Sequence, residues 1–330
     1  MKPTPDRAPR SPGPPPAMSQ RTGGEESRST VFRDPALQRH YEQFGYAAFP
    51  ALGPDLVREL RDSYRRLTLE DLYGIGYTVS LYSSDVETRR KAQEILFSRA
   101  FPALEPFLAC RTPYMGTYLV KEAHGRFIPP HQDWTHCDEA THDSLMCWVP
   151  LCDVDEHNGG IGFIDGSHRY FDYLRAFPYE VTETPVLRHG PALIPYLNVL
   201  RLRAGEAVVF NNRIIHGSLG NDTAEARLAF SLALHPGDEP LLGYYLKPNG
   251  RADTLLKYRV TPEFYLEYPH PRTLELYRRG AVVPGYGFEE IPYRVPALEW
   301  EAFEDMLVSS GNRKDPGKAA RAEALDRRRA

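Results

Sequence analysis

The segment Pro129-Pro130-His131-Gln132-Asp133 constrains the fold more than any other feature, once it is read with Ile215-His216-Gly217 and with Arg227. His216 lies eighty-five residues after His131, and Arg227 eleven residues after His216. Residues i and i+2 of a strand point to the same face, so His131 and Asp133 can converge while Gln132 points away. His216 follows two strand-like runs, Gly205–Phe210 and Asn212–Ile215, and Arg227 opens the apolar run Leu228–Leu234. A buried cation in such a strand needs an anionic partner. The pattern therefore predicts a β architecture that brings two imidazoles and a carboxylate to one point and a guanidinium nearby. Two His and one carboxylate form the ligand set of non-haem Fe(II) oxygenases, which leaves about three positions of an octahedron open for a 2-oxo acid and O₂.

An H-x-D tripeptide alone is weak evidence, because most histidines are satisfied polar groups or surface residues, and this chain has eleven. The conjunction with a distal His and a trailing Arg carries the reading. The rival cluster His136-Cys137-Asp138-Glu139-Ala140-Thr141-His142-Asp143 places Asp138 and His142 on one helix face but has no further ligands at matching spacing. It reads as a solvated loop or lid, with Glu139 able to reach inward. Cys137 reads as a small buried thiol, and His168 as a turn-stabilising residue rather than a ligand.

The formal net charge of −4 and mixed charge distribution speak against nucleic acid as an obligate partner. No apolar run approaches eighteen residues, so no membrane span is expected. Four cysteines without C-x-x-C spacing signal neither a zinc knuckle nor a disulfide scaffold, and a reduced, cytoplasmic protein is expected. Seven prolines fall in the first sixteen residues, so residues 1–30 are expected to be a disordered Pro/Arg/Ser-rich tail. Residues 311–330 are expected to be a charged tail. Between them, 31–310 reads as a single domain.

In that domain Leu37, Tyr41 and Phe44 recur at helical spacing, and a short strand follows near Tyr46–Phe49. Pro54 opens a second helix and Val86–Ala100 a third. Strand signals then take over at Met115–Val120, Ser144–Leu151, Ile161–Ile164, Val199–Leu202, Ala207–Phe210 and Leu228–Leu234. Helices followed by many strands, with the ligands on the strands, predict a mainly β double-stranded β-helix (jelly roll, cupin-like) with flanking helices. A doubly wound sheet would need alternating helices and a phosphate-binding glycine loop, and neither is present.

Several neighbours of the triad are candidates for the co-substrate. Ser218, two residues after His216, shares its face if the segment is extended. Arg227 can grip a carboxylate with two parallel bonds, which a Lys cannot. Tyr118 and Lys121 lie three apart on the strand before H-x-D and face opposite sides. Tyr118, in phase with Gly116 and Val120, is taken as the inward one. Thr135 can hydrogen-bond a co-substrate or simply cap or pack. Trp134 can be a substrate wall or plain packing.

Trp148-Val149-Pro150-Leu151, Asp155, Asn158-Gly159-Gly160 and Gly166-Ser167-His168 resemble the signature between the metal ligands of the phytanoyl-CoA dioxygenase family. So do His40-Tyr41-Glu42-Gln43-Phe44-Gly45-Tyr46 and Ile215-His216-Gly217-Ser218, and the resemblance runs from about Phe32 to about Tyr268. It implies a jelly-roll dioxygenase domain binding Fe(II) through His131, Asp133 and His216. It also implies that Arg227, helped by Ser218, holds 2-oxoglutarate. Such enzymes oxidise a substrate with O₂ while converting 2-oxoglutarate to succinate and CO₂. The resemblance leaves the small-molecule or carrier- or CoA-linked substrate open, along with the oligomeric state and the role of the chain after about residue 240. Asp133 in the carboxylate position speaks for hydroxylation over halogenation. Desaturation and epimerisation stay open, as does a non-oxygenase metal-binding cupin-like protein or a zinc hydrolase, for which Arg227 has no use.

Overall fold

The computed structural model describes residues 30–67, 69, 74, 76–237, 239–250, 252–318 and 320. The expected N-terminal tail lies outside these residues, apart from Thr30. Helix α1 (Pro35–Phe44) starts on Pro35, is capped by the Asp34 carboxylate, and ends on Gly45 at φ 87°, a left-handed conformation that favours glycine. It is followed by β1 (Tyr46–Pro50), α2 (Pro54–Tyr64), β2 (Tyr77–Val79), α3 (Val86–Ile95) and the short α4 (Phe101–Leu104). Strands β3 (Arg111–Lys121), β4 (Ile128–His131), β5 (Leu145–Pro150) and β6 (Ile161–Phe163) come next, then helix α5 (Pro185–Leu193). The barrel is completed by β7 (Asn198–Val199), β8 (Glu206–Asn211), β9 (His216–Ser218) and β10 (Arg227–Pro236).

These strands form a six-stranded sheet, ordered β1-β8-β5-β10-β3-β2, and a four-stranded sheet, ordered β4-β9-β6-β7, with all pairs antiparallel. This is the jelly roll with flanking helices that the sequence predicts. The larger sheet is buried on both faces. Outward, Tyr118, Val149, Phe230 and Leu232 pack with Val57 and Leu60 of α2 and with Leu96 and Ala100 after α3. Inward, Leu119, Met146, Trp148, Val208, Phe210 and Ala229 join the core between the sheets. A strand covered on both faces reads as a continuous apolar run, so period-two arguments lose their footing there.

Two expectations are corrected here. Asn212–Ile215 is a turn and not a strand, and the strand begins at His216. The charged end does not lie free as far as Lys318: Asn312 is buried and donates to the Asp165 carbonyl and the Tyr170 hydroxyl, and the Asp315 amide donates to Pro195 O. Beyond the barrel, β11 (Leu242–Leu246), β12 (Thr254–Arg259), α6 (Pro262–Glu267), α7 (His270–Arg278) and β13 (Phe288–Pro292) build a separate three-stranded sheet with helices, followed by α8 (Trp300–Ser309). It attaches beside the H-x-D segment, where the Leu242 amide donates to His136 O and the Phe177 amide to Tyr244 O, both at 2.9 Å. Among the described residues no helix is long and apolar enough to cross a membrane.

Candidate metal centre and co-substrate pocket

Strand pairing builds the centre. In the β4–β9 ladder His131 lies opposite His216, and Asp133 follows just after β4 ends. The ligand atoms of these three residues all lie within 4.8 Å of one another. His131 Nε2 is 3.9 Å from Asp133 Oδ1, and His216 Nε2 is 3.7 Å from Asp133 Oδ2. Each imidazole donates from Nδ1 to a local carbonyl, His131 to Pro129 at 2.8 Å and His216 to Ile214 at 3.2 Å. That fixes the tautomer in which Nε2 faces the shared point with a free lone pair, as a metal ligand requires. Burial, with His131 alongside, pushes the His216 imidazole down to about 4, so it stays in the neutral, ligating form. The donor set fits a divalent ion of the Fe(II) type with open positions.

Ser218 sits two residues from His216 at the other end of β9. Its Oγ accepts from Lys121 Nζ at 2.6 Å, and the same ammonium donates to Leu219 O at 2.6 Å. Lys121 is completely buried, and burial together with the neighbouring Arg227 charge pushes its ammonium well below the ordinary range. Arg227, directly opposite Lys121 in the β10–β3 ladder, is also buried. Its Nε and Nη1 have no hydrogen-bond partner, while the Tyr77 hydroxyl bonds the guanidinium and the Trp148 ring lies 5.4 Å from Cζ. No carboxylate of the described residues bonds either cation. A buried guanidinium with unused N–H groups, beside a buried amino group, offers an anion a place to bind, and a carboxylate is the shape a guanidinium fork accepts.

Two expected co-substrate contacts are corrected. Tyr118 points out of the barrel, and its hydroxyl donates to Leu60 O on α2 at 3.2 Å. Gly116, in phase with it, lies against Phe97 and Leu96, so this face of β3 receives the helices, and Lys121 takes the inward position. Thr135 is engaged by Arg175: its amide donates to Arg175 O at 3.0 Å and its Oγ1 accepts from Arg175 N at 3.1 Å. Trp134 stacks on Phe177 with centroids 4.2 Å apart, and Phe177 stacks on Tyr245 of β11. Tyr245 thus braces Trp134, the neighbour of Asp133, through Phe177, a contact of the chain after residue 240 that the sequence left open.

The stretch His136–Asp143 is solvated only in part: Asp138, Ala140 and Thr141 are exposed, and Glu139 reaches inward as expected. His136, Cys137, Glu139 and Asp143 are buried. Glu139 receives Arg175 through both terminal guanidinium nitrogens, and Arg213 Nε at 2.8 Å. Burial opposes its charge, but the two guanidiniums outweigh that and hold the carboxyl at about 2. Nothing in the sequence marks Arg175 or Arg213 as partners of Glu139, because they lie 36 and 74 residues away.

The signature of the Phytanoyl-CoA dioxygenase (PhyH) family matches residues 41–229. No curated protein is significantly similar in sequence. Among solved structures, the chain is similar to HygX from Streptomyces hygroscopicus with nickel and 2-oxoglutarate bound, at 16% identity and a TM-score of 0.46 over 62% of this chain and 88% of that one. It is also similar to the non-heme alpha ketoglutarate dependent carbocyclase SnoK from nogalamycin biosynthesis, at 20% identity and 0.47 over 63% and 86%. The corresponding epimerase, SnoN, aligns at 19% identity and 0.47 over 81% and 97%.

Proposed function

The chain belongs to the phytanoyl-CoA dioxygenase family of Fe(II)- and 2-oxoglutarate-dependent enzymes, and from that premise we propose that it hydroxylates a small-molecule or carrier- or CoA-linked substrate. The observation that carries the reading is the pair of buried cations beside the triad. Arg227 holds unused N–H groups next to Lys121 and Ser218, a short reach from His216. In this reading His131, Asp133 and His216 hold the iron, which when bound supplies the electron transfer that couples O₂ to decarboxylation of 2-oxoglutarate. Arg227 and Lys121 receive the distal carboxylate, with Ser218 completing the contact. Their burial keeps water from competing for those bonds. Trp134, beside Asp133 and braced by Phe177, forms a wall for the substrate.

Asp133 favours hydroxylation over halogenation, because a carboxylate occupies the position a halide would need. The balance is substrate C–H plus O₂ and 2-oxoglutarate going to C–OH, succinate and CO₂. We place the enzyme in the cytoplasm, where its four free thiols stay reduced. The test is turnover under ¹⁸O₂ with a panel of amino acids, CoA esters and carrier-bound acyl groups, read by succinate formation and product mass. Label in both succinate and product supports the reading. An unlabelled product moves the enzyme to desaturation if it is two hydrogens lighter than the substrate and to epimerisation if it is an isomer of it, and absence of any 2-oxoglutarate binding removes the reading altogether.

A further inference from the structure

Gln132 sits between two metal ligands, and its side chain is buried on the opposite side from theirs. Its Nε2 donates to the carbonyl of Arg213, three residues before His216, and its Oε1 accepts from the Tyr173 hydroxyl. Arg213 donates through Nε and Nη2 to the Glu139 side chain and carbonyl. Glu139 in turn binds Arg175, whose Nε donates to the carbonyl of Asp133 at 2.8 Å and whose backbone pairs with Thr135 on both sides. The chain of contacts thus closes a loop: from the H-Q-D tripeptide to the turn that carries His216, through a buried carboxylate, and back to Asp133. Asp143 adds a second carboxylate close enough to stabilise the Arg213 charge, so two acids face two guanidiniums. None of these groups reaches the metal point.

We propose that Gln132, Glu139, Arg175 and Arg213 form a positioning clamp that sets the spacing between the Asp133 and His216 segments before an ion binds. The proposal rests on the metal reading above. β4 and β9 are short and their ladder is irregular between Ile128 and His131, so backbone pairing alone holds the ligand strands weakly. A buried ion-pair network resists sliding in a way an apolar contact does not, because any displacement separates charges in a low-dielectric interior. Groups that orient ligands from behind typically change metal affinity by about 10- to 100-fold when removed.

The experiment uses the full chain and Co(II), whose visible absorption reports ligand geometry without turnover. Gln132→Met removes the tie to Arg213 and leaves every charge paired; Glu139→Gln breaks the centre of the clamp. Leu104→Ala, in the core on the outer helical face, is a control for stability lost elsewhere. We expect Gln132→Met to weaken Co(II) binding about tenfold and to alter the ligand-field bands, with Glu139→Gln acting more strongly and Leu104→Ala leaving both readouts unchanged. Unchanged Co(II) affinity and absorption in Gln132→Met overturn the clamp, as does an equal loss in Leu104→Ala. Should Glu139→Gln fail to fold, Gln132→Met decides the matter alone. If the parent protein binds no Co(II), or binds it equally well as His216→Ala, it is the metal reading that fails.

Discussion

Two groups of buried charges adjoin the triad, and the protein treats them in opposite ways. Around Glu139 two guanidiniums meet carboxylates, Arg175 bonding through all three of its guanidinium nitrogens and Arg213 through two. Around Arg227 the buried Lys121 lies on the neighbouring strand, no carboxylate of the described residues is bonded, and two guanidinium nitrogens have no partner among the described residues. A buried charge without a counter-charge costs several kcal/mol, so a fold keeps one only where something else supplies the partner. On the proposed reading the complete cluster is part of the scaffold, and the incomplete one is where a ligand binds.

The largest effect is expected where the two regions meet. His216→Ala or Asp133→Ala should abolish turnover and metal binding while the protein keeps its fold, checked by iron titration and circular dichroism. Next comes the opposition itself. Glu139→Gln should cost about 3–5 kcal/mol in denaturant unfolding, because it leaves two buried guanidiniums short of a charge. Arg227→Met should leave the stability of the ligand-free protein unchanged or raise it, because it removes a charge that lacks a partner. If Arg227→Met destabilises as much as Glu139→Gln, the distinction between scaffold and site collapses. The Glu139 carboxyl is held at about 2 against an ordinary 4.5, so its contribution is full above pH 4.5 and is lost as pH falls through that window. Acid unfolding of Glu139→Gln should therefore be flatter between about pH 4.5 and 2.

Arg227→Ala reads the same contrast through the co-substrate. Losing a two-pronged contact to a buried carboxylate should cost about 2–4 kcal/mol of 2-oxoglutarate binding, roughly a 30- to 1000-fold rise in the concentration required. Lys at this position should rescue only in part, since it lacks the fork. Succinate formation against 2-oxoglutarate concentration measures it. An unchanged requirement would take Arg227 out of the pocket.

The grouping of His131, Asp133 and His216 was legible in the sequence because its information is local: a His and an Asp two residues apart, a second His directly after strand-like runs, and an Arg at the head of another, although the run just before His216 is a turn. The jelly roll was legible for a similar reason, since runs such as Leu228–Leu234 and Ser144–Leu151 mark its strands directly. The bonds around Glu139 were not, because Arg175 and Arg213 come from distant segments and look like ordinary surface charges until the fold closes. The docking of Asn312 against Asp165 was hidden the same way. The inward face of β3 was misread for a different reason: the strand is buried on both sides, so neither Tyr118 nor Lys121 shows which side faces the barrel. A lysine at the end of an apolar strand looks like a solvent-exposed terminus, whereas here it is sealed in opposite Arg227.

That misreading supplies the smallest and most discriminating prediction. Tyr118→Phe removes one hydroxyl that donates to Leu60 O on the helical side, so it should cost about 1 kcal/mol of stability and leave the 2-oxoglutarate requirement untouched. Lys121→Met, three residues along the same strand, should raise that requirement, though less than Arg227→Ala, because a single ammonium contributes no fork. Ser218 would then lose its Lys121 contact as well. Side-by-side succinate assays and unfolding curves for the two variants separate the faces of β3. If Tyr118→Phe shifts the requirement and Lys121→Met does not, then the inward face is the one carrying Tyr118, and the buried cation pair loses its meaning as a carboxylate site.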